Sequence, residues 1–204
     1  MRLILIRHGA SHHSASGLIA MPRGCPGLTA LGVSQAEALA RRLRDDGLTD
    51  CTTLLTSPVL RARQTADLLL PVLSVAAVTV ERGLCELLPG AADGLTHAAY
   101  RATDGAFDPL DAPERPFAPG GESWVTFTGH VRATLDALAA RHAGETVVAV
   151  THAGFIVASL LVAFAIPRPG TGAWLAPAHT GLTEWRVADG RWELARYTDT
   201  AHLG

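Results

Sequence analysis

The chain has 204 residues, a formal charge of −2, 48% apolar residues and 18% charged ones. That length suits one domain burying roughly 70% of its unfolded surface, and the near balance of charge excludes a field that would gather nucleic acid or an acidic membrane. No apolar run nears the roughly 20 residues of a membrane span, and three widely spaced cysteines (Cys25, Cys51, Cys85) suggest neither a disulfide framework nor a zinc knuckle.

Arg2 to Ile6 is a short apolar run that stops at a glycine, which predicts a strand buried on both faces. Its apolar part is too short for the roughly 7–15 residues of a signal h-region, so a cytoplasmic protein with reduced thiols is expected. After a loop rich in Ser, Gly and Pro, Thr29 is placed to cap a helix whose stripe is Val33, Ala36, Leu39, Ala40 and Leu43, ended by Gly47. Thr52 to Thr56 reads as a second strand. Ser57-Pro58 then reads as the N-cap and first-turn proline of a helix running to Leu70. Val78 to Val80 is a third strand.

From about 88 to 120 prolines, glycines and aspartates break the rhythm, predicting an insertion that partly covers the site. Glu122 to Arg141 returns to helix, with Phe127, Val131, Leu135 and Leu138 on one face. Thr146 to Val150 is a fourth strand and Gly154 to Ala165 a helix stopped before Pro167. Thr183 to Thr198 alternates around Asp189-Gly190, a strong hairpin signal. The expected fold is a single α/β domain over residues 1–204, with a mainly parallel central sheet sandwiched by helices and the last hairpin at a sheet edge.

The residues just past each strand carry the chemistry. The first strand ends in Arg7-His8-Gly9, the second in Thr56-Ser57-Pro58-Val59-Leu60-Arg61, the third precedes Glu86, and the fourth ends in Thr151-His152-Ala153-Gly154. Ligands of open parallel sheets bind at the carboxyl ends of the strands, so Arg7, His8, Arg61, Glu86 and His152 are expected to converge there. Two arginines can clamp a phosphate by bidentate hydrogen bonds. One imidazole can attack phosphorus while the other donates to the equatorial oxygens. A carboxylic acid is needed to protonate the leaving alkoxide and then activate water, and Glu86 is the candidate, with Asp93 as second choice.

With these motifs in order, the sequence resembles the histidine phosphatases, also called the phosphoglycerate mutase superfamily. The resemblance is carried by Arg7-His8-Gly9, by Ser57, Arg61, Ala62, Thr65 and Ala66, by Glu86 with Gly94-Leu95-Thr96, by Gly120 to Ser123, and by His152 to Gly154. It implies a phosphoglycerate mutase-like fold, His8 as the phosphorylated nucleophile, a phosphate pocket of Arg7, Arg61 and His152, and Glu86 as proton donor. Related proteins often carry Glu or Gln and then Asn where this chain has Ala10 and Ser14, which bears on the substrate and not on the phosphate chemistry. Ser14 and Gly24 are further candidates for substrate contact.

The expected function is hydrolysis of a small phosphorylated metabolite without metal or other cofactor. A phosphoglycerate mutase-type transferase and a non-catalytic phospho-ligand binder are the alternatives. The pair His12-His13 suggests zinc at first sight. In an extended loop, however, adjacent histidines point to opposite sides, and no carboxylate stands at ligand spacing. Trp124, Trp174, Trp185 and Trp192 read as core or cover. Arg23, Arg101 and Arg115 are expected in loops bordering the mouth.

Overall fold

The computed structural model describes residues 1–47, 49–104, 112–166 and 175–204. In chain order the strands and α-helices are β1 (Arg2–Arg7), α1 (His12–Ser16), α2 (Ala30–Asp45), β2 (Thr53–Thr56), α3 (Leu60–Leu69), β3 (Val78–Val80), α4 (His97–Asp104), α5 (Trp124–Arg141), β4 (Thr146–Thr151), α6 (Ala153–Ala163), β5 (Leu182–Ala188) and β6 (Arg191–Asp199). Among the described residues no helix is long and apolar enough to cross a membrane.

The period of two in β1 sorts its side chains between two cores. Leu3 and Leu5 pack with Leu55, Val147, Ala149 and Trp185 against Phe127, Val131 and Leu135 of α5 and Phe155 and Ile156 of α6. Ile4 and Ile6 face the other way, with Leu54, Val148 and Val150, onto Leu39 and Leu43 of α2 and Ala62, Ala66 and Leu69 of α3. A continuous apolar run is what a strand covered on both faces requires. Each fully buried Leu or Ile contributes about 1.5–3 kcal/mol, and truncating Leu5 or Leu39 to Ala would cost about 2–5 kcal/mol.

The six strands run in the order β3-β2-β4-β1-β5-β6. β3, β2, β4 and β1 are parallel, whereas β5 joins β1 antiparallel and forms the edge hairpin with β6. Asp189 and Gly190 at its turn both have positive φ, at 50° and 72°, as a two-residue hairpin of primed type demands. The register sets the site: Arg7 pairs with Thr151, and the amides of His8 and Ser57 bond the carbonyls of Thr151 and Val150. Ser57, His152 and His8 therefore leave three adjacent strands side by side.

The caps are partly those expected. Thr29 accepts from the Gly32 amide, and Ser123 with Thr126 forms a capping box for α5. Ser57-Pro58 does not open α3, which starts at Leu60 with Val59 as N-cap; the Ser57 hydroxyl is engaged by His152 instead. His12 and His13 lie in helix α1, not in an extended loop. Residues 88–104 are not irregular throughout, since they hold a 3₁₀ turn at Gly90–Ala92 and helix α4.

Candidate active site

Arg61 sits in the first turn of α3, and its guanidinium is almost fully buried at the carboxyl ends of β1, β2 and β4. Its Nε–H donates to Nε2 of His8 at 2.9 Å, Nη2 lies 3.1 Å from Nδ1 of His152, and Nη1 donates to the Ala20 carbonyl at 2.6 Å. A guanidinium only donates, so both imidazole nitrogens facing it are acceptors. The hydrogen of His8 is then on Nδ1, which donates to the Gly9 carbonyl at 2.8 Å. The hydrogen of His152 is on Nε2, which donates to Ser57 Oγ at 2.8 Å. Both rings are thus fixed as opposite neutral tautomers by one arginine.

Electrostatics agree with that assignment. Burial, and then the charge of Arg61, hold His8 and His152 well below the ordinary imidazole pKa. The two rings stand edge to face with centroids 5.3 Å apart. Arg7, at the end of β1, donates from Nη1 to the Pro177 carbonyl at 2.6 Å, while its buried Nε meets no acceptor among the described residues. The Gly9 amide is tied to Thr65 of α3, and a Cβ at Gly9 would come within 2.5 Å of the Gly32 carbonyl oxygen of α2. The loop after β1 is pinned from two helices.

Glu86 comes after β3 and a 3₁₀ turn at Arg82–Leu84. Its carboxylate accepts from the amides of Gly154 at 2.8 Å and Leu87 at 3.1 Å, and loss of hydration raises its pKa. A Cβ on Gly154 would lie 2.0 Å from Glu86 Oε1, so the glycine makes room for the acid. Electrostatic coupling of Glu86 to Arg61 and Arg7 places it in the same cluster. Asp93, the second-choice acid, is committed elsewhere: it accepts from the amides of Met21, Arg23 and Gly24.

Two of the expected contacts are not brought together with these groups by any hydrogen bond among the described residues. Ser14 is exposed on α1, its hydroxyl 3.5 Å from His13 Nε2. The Gly24 amide is taken by Asp93 and the Met21 carbonyl, and is therefore not available to a substrate oxygen. Arg23 is exposed and bonds the Gly90 carbonyl, while Arg101 lies on α4 and Arg115 is exposed. Trp185 is fully buried and Trp124 and Trp192 pack against its cluster; Trp174 falls outside the described residues.

Four groups beside the site are not among the residues expected there. Ser57 is the partner of His152. His179 lies 5.5 Å from His8 between ring centroids, and its Nδ1 bonds the His8 carbonyl at 3.0 Å. His13 lies 5.8 Å from His8 on the same measure. Ser11 is buried with Oγ 2.6 Å from His13 Nδ1. Loop positions such as His179 have no periodic or motif signal, whereas the His12-His13 doublet after Arg7-His8-Gly9 does flag its segment. Among the described residues no group of three His, Cys, Asp or Glu side chains is placed to hold a metal ion.

A buried arginine and paired imidazoles stand together at the carboxyl ends of a mainly parallel α/β sheet. The chain belongs to the histidine phosphatase superfamily, branch 1, whose family model matches residues 3–200. It is 27% identical to the metal-independent phosphoserine phosphatase of Arabidopsis thaliana, over 98% of this chain and 82% of that protein. It is also 27% identical to a probable phosphoglycerate mutase of Yersinia enterocolitica, over 100% and 95%. A mutant phosphoserine phosphatase of Entamoeba histolytica, solved in complex with phosphoserine, superposes with a TM-score of 0.81 at 25% identity, covering 99% and 98% of the two chains. The fold is that of phosphoglycerate mutase-like proteins, and the relatives are phosphatases and mutases.

Proposed function

We propose that the chain hydrolyses a small phosphomonoester through a phosphohistidine on His8, without a metal. One observation carries this reading: His8 Nε2 presents a lone pair, not a hydrogen, and it does so beside a buried guanidinium. In the first step Nε2 attacks phosphorus, the P–N bond forms and the P–O ester bond breaks. Glu86, kept protonated to higher pH by burial, delivers its proton to the departing alkoxide. In the second step the Glu86 carboxylate takes a proton from water, the hydroxide attacks phosphorus, and His8 leaves as the neutral ring. Arg7 and Arg61 hold the phosphate oxygens and supply the positive charge that a metal would otherwise give, and His152 completes the pocket as a neutral ring.

Water is the acceptor in this reading, in line with the phosphoserine phosphatase relative. The chain acts as one domain, and the segment from about 88 to 120 is its partial cover. Residues 94–97 of that segment bond the loop at 17–19, and Asp93 holds residues 21–24. The neighbouring carbonyl of Ala20 steadies Arg61, so the cover acts on the site through this loop.

Purified protein should release inorganic phosphate from p-nitrophenyl phosphate in the presence of EDTA, and vanadate should inhibit it. His8→Ala should abolish turnover, and acid-quenched wild type given labelled substrate should carry a short-lived phosphoramidate. A stable phosphoenzyme that discharges only to a phosphorylated acceptor would give the function to a mutase. Binding with no turnover on any phosphomonoester would give it to a non-catalytic binder.

A further inference from the structure

His13 is the imidazole that the phosphoryl-transfer steps leave without a task. It comes from α1, an element separate from those holding the phosphate groups, and its ring is only partly exposed beside His8. Ser11, at the N-cap of α1, makes no capping bond with its side chain; its hydroxyl is turned onto His13 Nδ1 at 2.6 Å. Ser11 is 1% exposed, and Nδ1 is the acceptor its hydroxyl meets among the described residues. A buried hydroxyl hydrogen left without an acceptor is costly, so the hydroxyl donates to Nδ1 and the ring hydrogen resides on Nε2. Burial, together with Arg61, Arg7 and His179, pushes His13 down to about 3, so it stays a neutral donor across the physiological range.

The phosphate oxygens are already provided for by Arg7 and Arg61, with His152 in the same pocket. His13 stands 5.8 Å from His8 between ring centroids, on a different element, and its Nε2, with the exposed Ser14 hydroxyl 3.5 Å away, is left for the part of the substrate beyond the ester oxygen. We propose that His13 is a specificity-determining residue, its Nε2–H donating to an acceptor oxygen on the carbon skeleton close to the phosphate. The inference rests on the phosphatase reading and names the substrate class within it: alkyl phosphomonoesters bearing a hydroxyl or carboxylate oxygen on the carbon next to the ester-bearing one.

Three esters of matched size test this. Isopropyl phosphate lacks the oxygen, glycerol 2-phosphate offers hydroxyls, and 2-phospholactate offers a carboxylate. Wild type should favour at least one oxygen-bearing ester over isopropyl phosphate by about tenfold in kcat/KM, the scale of one hydrogen bond. The preferred ester tells hydroxyl from carboxylate. His13→Ala should collapse that ratio to about twofold or less. His13→Gln, whose amide nitrogen reaches the Nε2 position, should restore it, and His13→Asn, which matches Nδ1, should not. A ratio near one in wild type, or a ratio that survives in His13→Ala, would overturn the proposal, as would equal losses on all three esters. The same ratios read as calorimetric dissociation constants on a His8→Ala background, with and without the His13 changes, do not need turnover. A wild type that hydrolyses no ester thus sinks the phosphatase reading while the His13 proposal is still decided by binding.

Discussion

Arg61 Nε–H donates to His8 Nε2 at 2.9 Å, the nitrogen proposed to attack phosphorus. The guanidinium therefore holds this nitrogen as a neutral acceptor. A bound phosphate offers the same N–H a better, charged acceptor. Substrate binding should move the Arg61 donor from nitrogen to phosphate oxygen, and the Nε2 nitrogen-15 resonance of His8 should shift on adding vanadate. Arg61→Lys keeps the charge but cannot bridge two rings, and should lose on the order of 100-fold in kcat. Full activity in Arg61→Lys would show that charge alone suffices.

Ser57→Ala leaves the buried Nε2–H of His152 without its acceptor. A cost of about 1–3 kcal/mol in stability is expected from an unsatisfied buried donor. Catalysis should fall as well, because His152 is then free to change tautomer and lose its Nδ1 acceptor for Arg61. Denaturant unfolding and kcat measured on the same preparation check both. A Ser57→Thr variant that restores the rate would confirm the hydroxyl as the cause.

Gly154→Ala drives a methyl group to within 2.0 Å of Glu86 Oε1, so the carboxyl must move. The loss should match that of Glu86→Gln in pattern: large for alkyl phosphates, small for aryl phosphates whose oxide leaves unprotonated. With Glu86 raised and His8 lowered, alkyl ester hydrolysis should peak on the acid side of neutrality. Its alkaline limb, where Glu86 loses its proton, should be absent with an aryl phosphate. An identical pH profile for both ester types would remove Glu86 from the role.

The histidines also set the acid limit of stability. His8, His13, His152, His179 and His202 all bind protons more weakly in the folded chain than in the unfolded one, chiefly through burial. As pH drops through about 6.5 the unfolded chain takes up these protons first, so stability falls from there downward until each folded pKa is reached. His130, raised by its bond to Glu122, and Glu86, raised by burial, act in the opposite sense. Five against two predicts a melting temperature lower by about 5 °C or more at pH 5.5 than at pH 7.5. A scan showing no drop would contradict the burial of these rings.

Much of the scaffold is legible because local and tertiary demands coincide in it. The apolar run of β1, the stripe of α2 and the Asp189-Gly190 turn each carry their own periodicity or turn chemistry. Arg7, His8, Arg61, Glu86 and His152 can be gathered from sequence because each lies just past a strand in one parallel sheet. Where a tertiary partner overrides a local preference, sequence reasoning fails: Ser57-Pro58 is a good helix start in isolation, yet His152 claims the hydroxyl. α1 and α4 are short and lack a continuous apolar stripe, so nothing in their spacing announces them. Asp93 looks like a loose loop acid until three backbone amides are found on it.

The loop at 177–180 ties the end of β1 to the far edge of the sheet. Pro177 receives Arg7 Nη1, Thr180 N–H bonds the Arg7 carbonyl, and His179 bonds the His8 carbonyl. That loop is itself held by Thr198 Oγ1 on the Ala178 amide and by His202 Nε2 at 2.9 Å from Thr180 Oγ1, with Thr180 in the left-handed region at φ 56°. An edge hairpin is where a sheet opens first, since one side of its outer strand is unpaired. The site's working life on heating should then be set by fraying of β6, whose Thr198 holds this loop, and not by the melting of the cores. Activity should be lost several degrees before circular dichroism reports unfolding, with amide exchange at Thr180 and Thr183 rising in step with that loss.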